Sequence, residues 1–311
     1  MTLQDTTGIK GRRIIIWATL LALFLGAMDA LIITAAMPSI ISDLGGLHLY
    51  AWVYSAYFLA RAVSLPVFGK LSDLYDTRKL FLFSISLFLL ASAAAGVSTS
   101  MAILVTARVF QGIGAGGNFA LVYIVLSDVA LPGRRARTLS LASSVWGISS
   151  IIGPTLGGII VTYFSWRWIF YINVPLGIFS LVVISRFLDE FRQKSTETHL
   201  DFAGITLLTG FILVLLTLFI AGGRTVPWSS VGSLAMAVLA IVLGAGFIFA
   251  ETRAKDPILN PAFSESECSP RAMQPHSPAV LSFSHCLPMP RCLFRGHYPE
   301  HQWRPELPCF P

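Results

Sequence analysis

The stretch GISSIIGPTLGGII, residues 147–160, is too apolar for a surface loop and too rich in glycine and proline for an ordinary helix. A proline inside a helix removes one backbone hydrogen bond and bends the helix. Glycines placed one turn apart let a neighbouring helix approach closely. We therefore expect a membrane-embedded helix that bends at Pro154. We expect it to pack against a neighbour through Gly153, Gly157 and Gly158.

The composition of the whole chain is that of a membrane protein. Of its 311 residues, 55% are hydrophobic and 12% are charged, and most of the charges lie between long apolar stretches. About 20 apolar residues cross a hydrocarbon core of roughly 30 Å as a helix. Eight stretches reach this length, which predicts an all-α integral membrane protein with eight spans. The spans are expected at residues 14–36, 50–69, 80–97, 101–126, 138–163, 169–188, 202–221 and 231–250.

The basic residues are distributed unevenly between the two ends of these spans. Lysine and arginine near the ends of membrane helices favour the cytoplasmic side. With the N-terminus inside, fourteen of them lie on the cytoplasmic side and two, Arg167 and Arg224, lie on the other. We therefore expect both termini in the cytoplasm. A basic face beside anionic lipid explains the net charge of +6, so membrane lipid is an expected partner and nucleic acid is not.

Two breaks divide the chain. A polar stretch after the sixth span is typical of a cytoplasmic linker, and after Phe263 the apolar periodicity ends. The final 48 residues hold nine of the 17 prolines, a composition that forms neither a span nor a packed core. We interpret them as disordered or as the product of a shifted reading frame or retained intron. The expected segments are a cytoplasmic N-terminus at 1–13, a six-helix bundle at 14–188, a linker at 189–201, two additional spans at 202–250 and a cytoplasmic tail at 251–311.

All four cysteines and four of the six histidines lie in this tail. Paired zinc ligands commonly follow a CxxC spacing, and no two of these cysteines have it. We therefore expect no metal site and no cofactor. We also expect no disulfide to build the fold.

Ionisable residues lie deep within three predicted spans. A charge in the bilayer core costs on the order of 3 kcal/mol or more, so each charge needs a partner or a function. At 1.5 Å per residue, Asp29 lies about 22 Å from the cytoplasmic edge and Arg108 about 10 Å below the outer edge. In a core of roughly 30 Å these depths agree within one helical turn. We expect either a buried ion pair between them or two groups that face one aqueous cavity.

The fourth span carries further polar residues on the side of Arg108. Gln111 and Asn118 follow it at i+3 and i+10, close to one face of the helix, and predict the wall of a cavity. Arg61, about 16 Å into the second span, has no evident partner. We expect Arg61 to face a wet cavity or to exchange with Asp29. The alternative to a transport pathway is a pair that only joins two helices.

Two motifs resemble signatures of the major facilitator superfamily. GISSIIGPTLGG resembles its antiporter signature, in which GPxxGG lies in the middle of a helix. This resemblance implies that Gly147, Gly153 and Pro154 shape a gating helix. LVTARVFQGIGAGG resembles the fourth-span signature RxxqGxgaa, in which the arginine is associated with proton coupling. That signature is carried here by Arg108, Gln111, Gly112 and Gly114.

A third motif, GKLSDLYDTRK at residues 69–79, resembles the superfamily signature GxLaDrxGrk of the loop between spans two and three. The resemblance implies a tight exit from the second helix at Gly69. It also implies a charge lock between Asp73 and Arg78 on the cytoplasmic face. Asp76 stands where the family usually has glycine.

Three further stretches narrow the resemblance to the fungal 14-spanner drug:proton antiporters: MDALIITAAMP, SWRWIFYINVPLG and ETRAKDPILNP. Proteins of that family have two six-helix bundles that flank two additional helices, with the substrate site near the midplane between the bundles. The resemblance covers residues 14 to about 263. It implies that this chain holds the first bundle and the additional pair, that the C-terminal bundle is missing, and that the chain is a truncated form.

These observations predict a proton-coupled exporter of drugs, toxins or secondary metabolites that works by alternating access. Its expected partners are protons and a small amphipathic substrate, and its expected location is the plasma membrane, with the vacuolar membrane as the alternative. A second hypothesis is a non-transporting, membrane-embedded fragment that binds or regulates another transporter chain. We expect no enzymatic activity, since no histidine lies inside a span, and no use of ATP, since the chain lacks a GxxxxGK[ST] loop.

Overall fold

A computed structural model describes residues 9–131, 133–188, 202–222 and 227–253, and the structural statements below concern these residues. The predicted linker at 189–201 lies outside the described residues. So do residues 1–8 and the predicted tail from residue 254 onward, with its cysteines and histidines.

The described residues form long helices joined by short turns. Eight helical segments are long and apolar enough to cross a membrane, which confirms the all-α fold class and the predicted number of spans. The sixth segment is interrupted at Ile172 and consists of two helices. In chain order the helices are α1 Ile9–Leu44, α2 Tyr50–Leu74, α3 Thr77–Gly96, α4 Met101–Val129, α5 Arg135–Tyr163, α6 Trp168–Tyr171, α7 Asn173–Phe187, α8 Phe202–Ala221 and α9 Val231–Arg253.

The turn between α2 and α3 does not begin at the predicted residue. Gly69 lies inside α2, which continues to Leu74, so the expected helix exit at Gly69 is wrong. The chain turns where Tyr75 is extended and Asp76 caps α3, its carboxylate accepting bonds from the backbone N–H groups of Arg78 at 2.8 Å and Lys79 at 3.2 Å. A carboxylate that accepts the free N–H groups of the first turn favours a helix start at that residue.

Glycines set the position of α4 between α2 and α3. A Cβ at Gly116 would lie 2.5 Å from the carbonyl oxygen of Arg61 in α2, and one at Gly112 would overlap the carbonyl oxygen of Tyr57. On another side of α4, a Cβ at Gly114 would lie 2.7 Å from the backbone nitrogen of Phe88 in α3. The QGIGAGG segment therefore lets two helices contact the backbone of α4, as its spacing of small residues predicts.

The GPxxGG motif brings α5 against α1. A Cβ at Gly157 would lie 2.6 Å from the carbonyl oxygen of Ile32, and one at Gly153 would lie 3.0 Å from the Cβ of Leu31. Among the described residues, no atom of another helix lies within 4 Å of a Cβ at Gly158, so the expectation that Gly158 also packs against a neighbour is wrong. One residue along a helix turns the side chain by about 100°, and Gly158 therefore points away from α1. Pro154 lies inside α5 and is exposed.

Two apolar clusters fill the bundle, one toward each end. On α1 the first cluster extends to Ala30 and the second begins at Ile32. On α4 the last buried residue of the second cluster is Ala107, and the nearest buried residue of the first cluster is Ala115. Residues at this boundary on α1 and α4 therefore have apolar side chains on both sides along the helix axes.

We predict that Gly157→Ala destabilises the bundle, because the added methyl group forces α1 away from α5. The expected cost is about 1–3 kcal/mol, as for overpacking of a close interface, seen as a lower midpoint in thermal unfolding of the purified chain. Gly158→Ala is the matched control, and its open surroundings predict a midpoint at or above that of the unchanged chain. Equal midpoints for the two variants would contradict the close approach of α1 and α5.

Candidate functional site

An ion pair lies close to the boundary between the two apolar clusters. The Nη1 atom of Arg108 in α4 lies 2.6 Å from Oδ2 of Asp29 in α1, and both residues are 0% exposed. Of the two arrangements expected from their depths, the structure has the buried pair. Water does not reach either group in this conformation. The pair joins two helices that each contribute residues to both apolar clusters.

Two amide side chains complete the surroundings of the carboxylate. Oδ1 of Asp29 accepts hydrogen bonds from Nε2 of Gln111 at 2.8 Å and from Nδ2 of Asn173 at 2.9 Å. Gln111 also accepts a bond from Nη1 of Arg108 at 2.9 Å through its own oxygen. Both oxygens of the carboxylate therefore have partners, and saturation of this kind offsets the cost of burying a charge.

The guanidinium of Arg108 is less completely satisfied than the carboxylate. Its Cζ atom lies 4.0 Å from the centroid of the Tyr57 ring, and its Nε donates a long bond of 3.4 Å to the carbonyl oxygen of Val53. The Nη2 atom is buried and has no hydrogen-bond partner among the described residues. The cation thus depends on Asp29 and on one aromatic face for most of its stabilisation.

Asn173 is a site residue that the sequence analysis missed. It is the first residue of α7, directly after the interruption of the sixth span, and its Nδ2 also lies 3.1 Å from Oγ of Ser92 in α3. Ser92 in turn donates to the carbonyl oxygen of Phe170 at 2.9 Å. The signal was present, because the apolar run WIFYI at residues 168–172 is followed directly by one amide, Asn173. Its partner could not be predicted without the packing of α7 against α1.

Two residues predicted for a cavity wall lie elsewhere. Gln111 is 0% exposed and belongs to the buried network. Asn118 is also buried, and its Nδ2 donates to the carbonyl oxygen of Ala22 in α1 at 2.6 Å. The predicted wall is therefore wrong for this conformation, because the polar side of α4 faces α1.

Arg61 lies apart from the ion pair, against aromatic rings. Its Cζ atom lies 4.7 Å from the ring centroid of Phe119 in α4 and 5.0 Å from that of Trp146 in α5. The residue is partly exposed, unlike Arg108. No ion pair joins Arg61 to Asp29 in the described part of the chain, so the expected exchange does not appear in this conformation.

The GKLSDLYDTRK motif connects α3 to α7 through Arg78. Arg78 donates a hydrogen bond to the carbonyl oxygen of Ser185 near the end of α7. The charge lock between Asp73 and Arg78 stays a prediction. Gly147 of the antiporter-like motif has no neighbour within 4 Å of a Cβ built on it, so that end of the motif is open.

A second ion pair lies near the C-terminal end of α1. Nη1 of Arg167 lies 2.8 Å from Oδ2 of Asp43, and Nε1 of Trp166 donates to the same oxygen at 3.0 Å. The two charged side chains are 33% and 49% exposed. Water screens an exposed pair, so it contributes little compared with a buried one.

Comparisons with known proteins identify relatives of this chain. The family model of the Major Facilitator Superfamily matches residues 19–250. The chain is 34% identical to "Multidrug resistance protein 3" of Bacillus subtilis over 83% of this chain and 50% of that protein. It is 35% identical to "Efflux pump FUS6" of Gibberella fujikuroi over 77% of this chain and 45% of the pump. The chain thus spans about half the length of the curated relatives it matches.

Solved structures share the helical arrangement. The human organic anion transporter MFSD10 superposes with a TM-score of 0.55 and 19% sequence identity, over 72% of this chain and 59% of the other. At that identity the similarity shows the fold alone.

We predict that Asp29→Asn strongly destabilises the chain, because it keeps a hydrogen-bonding side chain but leaves the Arg108 cation buried without a counter-charge. Breaking a buried pair in this way costs about 3–5 kcal/mol. Asp43→Asn, which breaks the exposed pair, is the matched control and is expected to cost about 0–1 kcal/mol. Thermal unfolding of the purified variants measures both.

The double variant Asp29→Asn with Arg108→Met tests the physical reason. Removing the second charge should recover most of the lost stability, since no unpaired charge remains in the core. If Asp29→Asn and Asp43→Asn unfold at the same temperature, the buried pair does not stabilise the bundle.

Proposed function

This chain belongs to the Major Facilitator Superfamily and is a multi-pass membrane protein of a transporter family, and from that premise we propose that it serves proton-coupled export of amphipathic drugs, toxins or secondary metabolites by alternating access. The printed names of its relatives, a multidrug resistance protein and an efflux pump, support export of such compounds. The proposal concerns a complete transporter like these relatives, and this chain matches about half of their length.

The buried pair of Asp29 and Arg108 is the observation that carries the proposal. Protonation of Asp29 would remove the negative charge that holds the guanidinium, and the attraction between α1 and α4 would weaken. Each protonation state would then favour a different arrangement of the helices, which is how proton binding and conformation become linked. The unsatisfied Nη2 of Arg108 supports this role, because the cation has no other anionic partner among the described residues.

The contact between α1 and α5 supports a mechanical role for the antiporter-like motif. Gly157 contacts Ile32, which lies three residues from Asp29 on α1. A movement of α5 about Pro154 would therefore act on the helix that carries the carboxylate. In this proposal Gly153 and Gly157 keep α1 and α5 together, and the open side at Gly147 and Gly158 faces the moving partner helices.

The domain organisation and location complete the proposal. A six-helix bundle at 14–188 is followed by a linker and by two additional spans at 202–250. Both termini lie in the cytoplasm, since the exposed basic side chains at the start of α5 belong on that side. The plasma membrane is the proposed location for an exporter of small molecules.

We predict that Arg108→Ala abolishes proton-driven transport, because Asp29 then has no counter-charge that responds to its protonation. The assay measures proton-driven uptake of fluorescent amphipathic dyes into everted membrane vesicles. The protein is residues 1–253 of this chain joined to the remainder of Multidrug resistance protein 3, of which the chain covers 50%. A protonophore should stop uptake by the unchanged protein.

Asp43→Asn serves as the control, because it changes an exposed ion pair away from Asp29 and should transport normally. Uptake by the Arg108→Ala protein at the unchanged rate, with equal amounts in the membrane, would refute the coupling role. Absence of uptake by the unchanged protein would refute the transport proposal.

A further inference from the structure

We propose that Arg61, Phe119 and Trp146 form a subsite that binds the anionic group of an amphipathic substrate, with the rings receiving its flat apolar part. The inference rests on the proposed transport function and narrows its substrate class to organic anions in which a carboxylate is attached to an aromatic ring. The reasons are the depth of Arg61, its lack of a counter-charge, its aromatic neighbours and its exposure.

The charge of Arg61 lies in the membrane core, and no ion pair joins it to a carboxylate of the described residues. Arg61 is the twelfth of the 25 residues of α2, about 16 Å from the start of the helix, so lipid headgroups lie well away from it. Arg108 and Arg167, in contrast, form ion pairs with Asp29 and Asp43. The Tyr57 hydroxyl lies near the Arg61 side chain. A guanidinium has five N–H donors, so one neighbouring hydroxyl leaves capacity for an anion.

Two aromatic rings hold the guanidinium in place. Phe119 and Trp146 lie 4.7 Å and 5.0 Å from Cζ of Arg61, and their ring centroids are 6.3 Å apart. Tyr123 extends the aromatic surface, with its ring centroid 4.8 Å from that of Phe119. A cation over an aromatic face is attracted by the negative potential of the ring. The rings therefore offset part of the cost of the charge and leave its positive potential uncompensated.

The cluster lies on an open side of the bundle, where a ligand can reach it. Arg61 and Trp146 are partly exposed, and Ser143 and Ser150, one turn to either side of Trp146, are exposed. Phe58, one turn before Arg61, is 45% exposed. Three helices, α2, α4 and α5, thus present a cation, aromatic faces and hydroxyl groups at one surface.

This arrangement selects for charge and shape together. A planar guanidinium matches a carboxylate with two parallel hydrogen bonds. Charge attraction is stronger in a site shielded from bulk water. A neutral molecule with the same ring would gain only the aromatic contacts, and a cationic one would be repelled by Arg61. The subsite therefore discriminates by charge among compounds that share one apolar ring.

The test measures binding of three compounds that carry one ring and differ in charge: naphthoate, naphthamide and naphthylmethylammonium. The full chain is placed in phosphatidylcholine nanodiscs at neutral pH, and affinities are measured by equilibrium dialysis. We expect naphthoate to bind tightest. Arg61→Gln should weaken naphthoate binding by about tenfold or more, the effect of losing hydrogen bonds to a charged group. The same change should leave naphthamide binding unaltered.

Two further variants sharpen the test. Arg61→Lys keeps the charge but loses the planar fork, so naphthoate binding should fall between those of the unchanged chain and Arg61→Gln. Arg167→Gln changes an arginine at the far end of the bundle and should alter none of the affinities. If Arg61→Gln does not give a monodisperse protein, the ratio of naphthoate to naphthamide affinity in the unchanged chain and in Arg61→Lys decides the question.

Equal affinities for naphthoate and naphthamide, or naphthoate binding that does not depend on residue 61, would overturn the subsite. The transport proposal has a separate outcome. If dyes are taken up with a proton gradient but naphthoate binds no more tightly than naphthamide, the subsite is wrong and the transport proposal stands. If naphthoate binds selectively at Arg61 but no proton-driven uptake occurs, the subsite stands and the transport proposal is wrong.

Discussion

The attraction between the carboxylate of Asp29 and the guanidinium of Arg108 acts where apolar side chains exclude water, and the arrangement of α1, α4 and α7 depends on it. Either charge alone would be costly at that depth. Together, with Gln111 and Asn173 occupying the second carboxylate oxygen, they form a network whose donors come from two helices and whose acceptor comes from a third. Loss of one charge therefore leaves the other buried without a counter-charge.

Close backbone packing makes this network possible. Gly112 follows Gln111 directly and lets α4 contact the backbone of Tyr57 in α2. The ring of Tyr57 then lies against the guanidinium of Arg108. The glycines thus determine how near the aromatic face and the cation come, so the small residues and the charged residues of α4 form one structural unit. On α5, Gly157 has the corresponding effect on the helix that carries Asp29.

Two membrane arginines in the same bundle have opposite surroundings. Arg108 is fully buried and paired, whereas Arg61 is partly exposed and lies between rings. Tyr57 lies between them, with its ring against Arg108 and its hydroxyl near Arg61. In the proposed mechanism, only Tyr57 would separate an anion bound at Arg61 from the pair of Asp29 and Arg108. Substrate binding and proton binding would then act on adjacent parts of α2 and α4.

From the amino-acid sequence, hydrophobic length, charge placement and motif order determined the eight spans, the family resemblance and the common depth of Asp29 and Arg108. Whether these two residues form an ion pair stayed open. The thickness of the bilayer and the constant rise of a helix give the depth of each residue in the membrane without any knowledge of its neighbours. The depth of a residue does not determine which way its side chain faces around the helix axis. Only the tertiary structure decided that Asn173 completes the site, that Asn118 and Gly158 point in other directions than predicted, and that aromatic rings enclose Arg61. Each of these depends on which face of a helix meets which neighbour, and that is a matter of side-chain packing between segments distant in the chain.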